Sequence, residues 1–175
     1  MTPKERRDRL FKRSKPVLRA IQLRGETGYA TDMGILWAAY QKGAFVLPEG
    51  LDQQQFADAV EAQLRGYETI WFIEDKTPAF KSGQGPIGLV GIVSHDMAYT
   101  LSGRPFPWAS KRNVLRGSVA ALSKICAMAK CGVAFVNGDT KSYKFLKCLK
   151  RYDSLFYVGK TGRESWLFSA RGRAS

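Results

Sequence analysis

The sequence is poor in the residues that build metal centres and disulfide frameworks. It holds one histidine, His95, and three cysteines, Cys126, Cys131 and Cys148. No CxxC pair exists and the cysteine count is odd, so neither a zinc site nor a disulfide scaffold is expected. The cysteines sit in apolar stretches and read as reduced, core or near-core thiols of a cytosolic protein. No run of about 18 or more apolar residues occurs, which excludes a membrane-spanning helix. The basic N-terminus is followed by no apolar segment, so no secretory signal peptide is expected. A GxSxG elbow is absent, which argues against a serine hydrolase. Acidic residues are scarce, and the adjacent Glu74 and Asp75 would face opposite sides of a strand, so paired carboxylate chemistry is not expected.

Against these absences stand an ordinary core and an excess of positive charge. The chain has 175 residues, 45% of them apolar and 25% charged, which suits one globular domain. Lys and Arg number 28 and Asp and Glu 15, a net charge of +13. Such a balance favours anionic partners. Much of it lies in residues 1–24, where Lys4, Arg6, Arg7, Arg9, Lys12, Arg13, Lys15, Arg19 and Arg24 face only Glu5 and Asp8. Residues 1–15 read as a basic arm, residues 16–170 as one domain, and residues 171–175 as a short basic tail. The arm, through Lys4, Arg6, Arg7, Arg9, Lys12 and Arg13, is a candidate contact for nucleic acid.

Apolar periodicity orders the domain. Val17, Leu18, Ala20, Ile21 and Leu23 predict a first strand. Met33, Leu36, Trp37 and Tyr40 predict a helix stopped by Gly43. Asp52 and Gln55 form a capping-box pair for a second helix with the stripe Phe56, Val60 and Leu64. Residues 69–73, 87–93 and 97–101 predict three strands, with a break over residues 102–105. Ser110 caps a long helix with the buried stripe Leu115, Val119, Leu122, Cys126 and Ala129, stopped by Gly132. Residues 133–136 predict a short central strand. A last helix carries Tyr143, Leu146, Leu149 and Tyr152, and residues 155–158 and 165–169 close the chain as strands. The order β-α-α-β-β-β-α-β-α-β-β gives an α+β class with a mixed sheet.

Four segments carry candidate chemistry. Gly83-Gln-Gly-Pro-Ile-Gly88 matches GxGxxG, but a strand follows it and Pro86 lies inside it, so it reads as a hairpin loop and not a dinucleotide turn. Ser110-Lys-Arg-Asn-Val-Leu-Arg-Gly117 opens the long helix with cations. Free N–H groups and the positive dipole end make that turn either a phosphate site or a solvated basic turn. His95 with Asp96 stands at a strand end, as a base or as structural residues. Lys141, Lys144, Lys147, Lys150 and Arg151 surround the last helix, as a phosphate-tracking surface or a solvated face.

The element order, the basic turn opening the central helix and the β-α-β-β ending together resemble the GNAT fold of acyl-CoA-dependent N-acetyltransferases over residues 16–170. Phe106-Pro-Trp-Ala-Ser-Lys-Arg-Asn113 and Gly138-Asp-Thr-Lys-Ser-Tyr-Lys-Phe-Leu-Lys147 further resemble small GNAT-like proteins of tailed bacteriophages, some of them internal virion proteins. The resemblance implies an acetyl-CoA pyrophosphate site at Lys111, Arg112, Asn113, Arg116 and Gly117. The family's Gln/Arg-x-x-Gly-x-Gly/Ala loop would map to Arg112-Asn-Val-Leu-Arg-Gly117, with Leu115 in the middle glycine's place. Its asparagine and acid tyrosine would fall on Asp139 and Leu146, leaving Tyr143 one turn earlier. In an active enzyme His95 or Asp96 would deprotonate the amine and backbone N–H groups would hold the oxyanion. Two functions are implied: a virion or assembly component with a degraded acetyl-CoA site, placed in the host cytoplasm or the virion with virion proteins as partners, or an active N-acetyltransferase acting on a protein or small-molecule amine.

Overall fold

The computed structural model describes Thr2 and residues 16–75, 85–94, 99–128, 133–137, 155–160 and 165–170. Seven strands form one sheet: β1 (Pro16–Ala20), β2 (Thr69–Asp75), β3 (Gly88–Ser94), β4 (Tyr99–Pro105), β5 (Val133–Asn137), β6 (Leu155–Lys160) and β7 (Ser165–Ala170). Their spatial order is β1-β2-β3-β4-β5-β7-β6. The first four pair antiparallel in sequence order, β4 and β5 are parallel, and β7 lies antiparallel between β5 and β6. Three helices are described: α1 (Tyr29–Gln41), α2 (Gln53–Leu64) and α3 (Lys111–Met128). The predicted last helix, the basic arm's Lys and Arg residues and the tail at 171–175 lie outside the described residues.

Local chemistry fixes the helix ends. The Asp52 and Gln55 pair forms as predicted: Gln55 N donates to Asp52 Oδ1 at 2.8 Å, and Asp52 N donates to Gln55 Oε1 at 3.1 Å. After α1, Gly43 turns the chain out at φ 77°, a left-handed conformation that glycine adopts without a Cβ penalty. At α3, Asn113 N donates to Ser110 Oγ at 3.2 Å, the predicted cap.

The pleat sends alternate side chains to two cores. Ile70, Phe72 and Leu89 pack with Leu36 and Ala39 of α1 and Phe56, Val60 and Leu64 of α2. Ile73, Val90, Ile92 and Leu101 pack with Val119, Leu122, Ile125 and Cys126 of α3, and Trp71 lies against them. α1 and α2 therefore cover one face and α3 the other.

Two strand boundaries differ from expectation. β1 ends at Ala20, and Ile21 is held beyond it by one bond from its N–H to Ile70 O at 3.2 Å. The break expected over residues 102–105 is the second half of β4. Gly103 and Pro105 weaken a strand in isolation, but β3 pairs with every residue of β4, and Pro105 takes the last rung, where an absent N–H costs least.

Candidate functional site

The parallel step in the sheet is short. β4 pairs with β5 through Tyr99↔Ala134, Thr100↔Phe135 and Leu101↔Val136, and there the ladder stops. On its other edge β4 stays paired with β3 as far as Pro105. Phe106 N bonds to Ile87 O, and by that alternation Ser102 and Arg104 spend their backbone groups on β3, while those of Gly103 point away from it and have no strand partner among the described residues. Among the described residues, this half of β4 has a strand on one edge alone. It is a template for a ligand that pairs as a strand does.

This free edge runs into the turn before α3. Phe106 N donates to Ile87 O at 3.0 Å and Ala109 N to Phe106 O at 3.0 Å, which closes the turn. The Phe106 ring is buried between Phe72 and Trp108, with centroids at 5.9 and 4.8 Å. Trp108 Nε1 donates to Pro86 O at 2.8 Å, which ties the turn to the start of β3. With Ser110 as cap and Val114 N making the first helical bond, to Ser110 O at 2.9 Å, the N–H groups of Lys111 and Arg112 are left at the helix mouth. Both side chains are exposed, and the first turn of α3 holds no acid. Cations here oppose the helix dipole unless an anion joins them.

Of the predicted phosphate residues, Lys111, Arg112 and the half-buried Asn113 stand together at this mouth, and Arg116 follows one turn later, half-buried. Gly117 is the seventh residue of α3 and is buried. A Cβ there would sit 2.2 Å from Ile87 Cδ1 and 3.1 Å from Ile73 Cγ2, so its smallness lets α3 press onto the sheet. Leu115 packs against the same core. Residues 112–117 are therefore helix body and not a phosphate turn. The chain turns at residues 106–110, between the end of β4 and the start of α3. Arg104 itself braces the α1/α2 side, with Nη1 donating to Ala44 O and its guanidinium 5.3 Å from the Phe45 ring centroid.

His95, Asp96 and Tyr143, like Asp139 and Leu146, lie outside the described residues. The end of β3 that leads to His95 is clamped, since Ser94 N donates to Glu68 Oε2 at 3.0 Å and Ser94 Oγ donates to the same oxygen. These bonds hold the Glu68 carboxyl below its ordinary range. The match over residues 83–88 ends as expected, with Gly88 opening a strand and not a helix.

Two cations counted with the basic N-terminal region have internal partners. Arg19 meets Asp32 through Nη1 at 2.9 Å and Nη2 at 2.8 Å, and Glu74 through Nε at 2.6 Å. Asp32, 2% exposed, also accepts from Gln22 N at 2.9 Å. Arg24 meets Asp58 at 2.6 Å and Glu61 at 3.6 Å. Among the described residues no cluster of His, Cys, Asp and Glu could hold a metal ion, and no helix is long and apolar enough to cross a membrane.

No family model matches the sequence, and no curated protein matches it. Solved structures do match in shape. A chimera of the spermidine N-acetyltransferase SpeG from Vibrio cholerae and hSSAT aligns over 90% of this chain and 96% of its own, with TM-score 0.55 and 11% identity. A second such chimera covers 89% and 94%, with TM-score 0.54 and 12% identity. Apo FdhC, described as a nucleotide-linked sugar GNAT, covers 87% and 84%, with TM-score 0.50 and 12% identity. The chain has the fold of the GNAT acetyltransferases.

Proposed function

We propose that the protein is an acyl-CoA-dependent N-acyltransferase whose donor lies along the free edge of β4 with its pyrophosphate at the mouth of α3. The observation that carries this is the three-rung β4–β5 ladder beside a seven-residue β4. A CoA thioester fits these residues. Its amide-bearing arm can pair with the outward-facing N–H and C=O of Gly103. Its pyrophosphate suits the N–H groups and side chains of Lys111 and Arg112. When bound, it supplies an acyl group activated as a thioester. Transfer forms a C–N bond to the amine as the C–S bond breaks, and the proton lost by nitrogen balances the one taken up by sulfur. His95 or Asp96 is proposed to take that proton and Tyr143 to deliver one. The matched structures are named for spermidine and for nucleotide-linked sugars, and both names support an amine acceptor here.

The alternative, a phage virion or assembly component with a degraded donor site, rests on Leu115, Leu146 and the basic arm at residues 1–15. Leu115 faces the core and leaves the turn to residues 106–110, which removes the first support.

Calorimetric titration with acetyl-CoA and CoA tests the proposal. Both should bind, and Arg112→Ala should weaken both alike by about 1.5–3 kcal/mol, the range for hydrogen bonds to charged groups. Failure of the wild-type protein to bind acetyl-CoA at millimolar concentration overturns it.

A further inference from the structure

We infer that the groove between α1 and the turn before α3 takes the adenosine end of the donor, with the donor's 3′-phosphate on Lys42. The inference rests on the N-acyltransferase reading and extends its donor site. α1 runs from Tyr29 to Gln41, and Gly34 lies inside it. A glycine in a helix interior is less favourable than alanine, so its presence calls for a reason. Its φ is not positive, so no turn requires it. A Cβ built on it meets no atom of the described residues within 4 Å, so no packed neighbour requires it either. Gly117 of α3 has such a neighbour in Ile87, and Gly34 has none. What the missing side chain leaves is room in a groove of about 460 Å³, which Ile35, Ala38, Lys42, Pro86 and Trp108 also line. That volume falls within the roughly 300–1,000 Å³ of small-molecule clefts.

The lining selects the occupant. Gly34, Ile35 and Ala38 share one face of α1 and bring no charge, while Pro86 and Trp108 add apolar wall. Such a slot suits a flat heterocycle. Lys42 is the one charged residue lining it, exposed, with its ammonium 5.6 Å from the Trp108 ring centroid. Among the described residues no carboxylate pairs with that ammonium. The slot therefore matches a ring that carries an anion. Position favours the donor's own ring. Trp108 belongs both to the groove and to the turn, three residues before Lys111, a span of at most about 11 Å of chain. A CoA with its pyrophosphate on Lys111 and Arg112 has its ribose, 3′-phosphate and adenine within that reach. Pro86 leads into β3, whose Gly88 pairs with Pro105 at the end of β4, so the groove lies at that end of the strand. The acyl-bearing arm of the donor points the other way, along β4.

The test is calorimetry on the full-length protein with acetyl-CoA and acetyl-3′-dephospho-CoA, joined by thermal melts. The wild-type protein should bind acetyl-CoA at least about threefold more tightly than the dephospho form, the upper range for an exposed ion pair. Lys42→Met should abolish that difference and leave affinity for the dephospho form unchanged. Gly34→Ala should raise Tm by about 2–4 °C, because alanine is the better helix former. Gly34→Leu should also melt no lower than wild type, yet weaken both donors by at least about tenfold, within what the contacts of one base are worth. Equal affinity of the wild-type protein for the two donors, a Lys42→Met loss shared by both, or unchanged donor affinity in Gly34→Leu overturns the inference and leaves the donor reading standing. Acetyl-CoA that does not bind the wild-type protein sinks the donor reading and this inference with it.

Discussion

The two faces of the sheet are built from different materials. The α1/α2 face is aromatic: Phe56 lies within 6.0 Å, centroid to centroid, of Trp37, Tyr40 and Phe45, and Phe72 packs on Phe106. It also holds the Arg19 and Arg24 ion pairs, whose cations meet carboxylates of the same domain. The α3 face is aliphatic, with Val119, Leu122 and Ile125 resting on Ile73, Ile87 and Val90. Its charges are turned outward, and among the described residues no carboxylate pairs with Lys111 or Arg112. The difference teaches a division of labour. The first face holds the chain's early elements to the sheet, and the second aims a helix mouth at a ligand.

The sharpest contrast between the faces is a pair of truncations. Phe56→Ala should cost about 3–5 kcal/mol and Leu122→Ala about 2–5 kcal/mol in urea denaturation, since each loses burial and leaves a cavity. Phe56 should be the costlier, because its ring contacts each add about 0.5–1.5 kcal/mol beyond area. A Leu122→Ala cost under about 1 kcal/mol would mean that the α3 stripe is not core.

Asp32→Ala comes next. It leaves Arg19 beside Glu74 alone and strips Gln22 N of its acceptor. Breaking a buried pair by removing one partner costs about 3–5 kcal/mol, and Arg19 keeps enough exposure to place the loss near about 3 kcal/mol. A neutral result would show that the network is a surface ornament and that the two faces treat charge alike.

What the sequence disclosed, and what it hid, follows the range of each interaction. The Asp52 and Gln55 cap, the Gly43 stop, the Ser110 cap and the stripe Phe56, Val60 and Leu64 were legible because all their partners lie within a few residues. The continuation of β4 through Gly103 and Pro105 was not, because the ladder with β3 overrides two local breakers. The partners of Arg19 were hidden for the same reason. Glu74 is 55 residues away and Asp32 is 13, so Arg19 passed as one more cation of a basic segment. Gly117 misled in the other direction. Its spacing from Arg112 suggested a phosphate turn, while its reason is the Ile87 side chain pressed against it from across the sheet. In the candidate site, the cations at the helix mouth were legible. The open β4 edge was not, since a missing rung depends on where β5 ends relative to β4.

Arginine substitutions sharpen the division further. Arg112→Ala should leave stability within about 0.5 kcal/mol, as an exposed side chain away from the core does. The same change reduces acetyl-CoA affinity as stated above. Arg19→Ala should do the reverse, lowering stability with donor affinity retained. Thermal melts and titrations on both variants read the two quantities separately, and a crossed result would dissolve the distinction between the faces.

The smallest expected effect is one of pH, at the far end of β3. Glu68 accepts from Ser94 N and Oγ, and these bonds favour the ionised carboxylate and depress its pKa in the folded chain. A depressed folded pKa contributes stability that is fully present above the ordinary glutamate pKa and is lost as pH falls through the folded value. Glu68→Gln removes the charge and keeps the shape. Wild type should therefore exceed the variant in stability by a constant margin near neutral pH, and the margin should close on acidification. Denaturation series at several pH values measure it, and a margin that widens toward acid would show the carboxylate destabilised by its surroundings. The clamp also bears on the proposed chemistry, because Ser94 immediately precedes His95 in the chain. If His95 is the base, loosening the clamp should alter the pH profile of acyl transfer while leaving acetyl-CoA affinity unchanged, since the donor's contacts lie at the other end of β4.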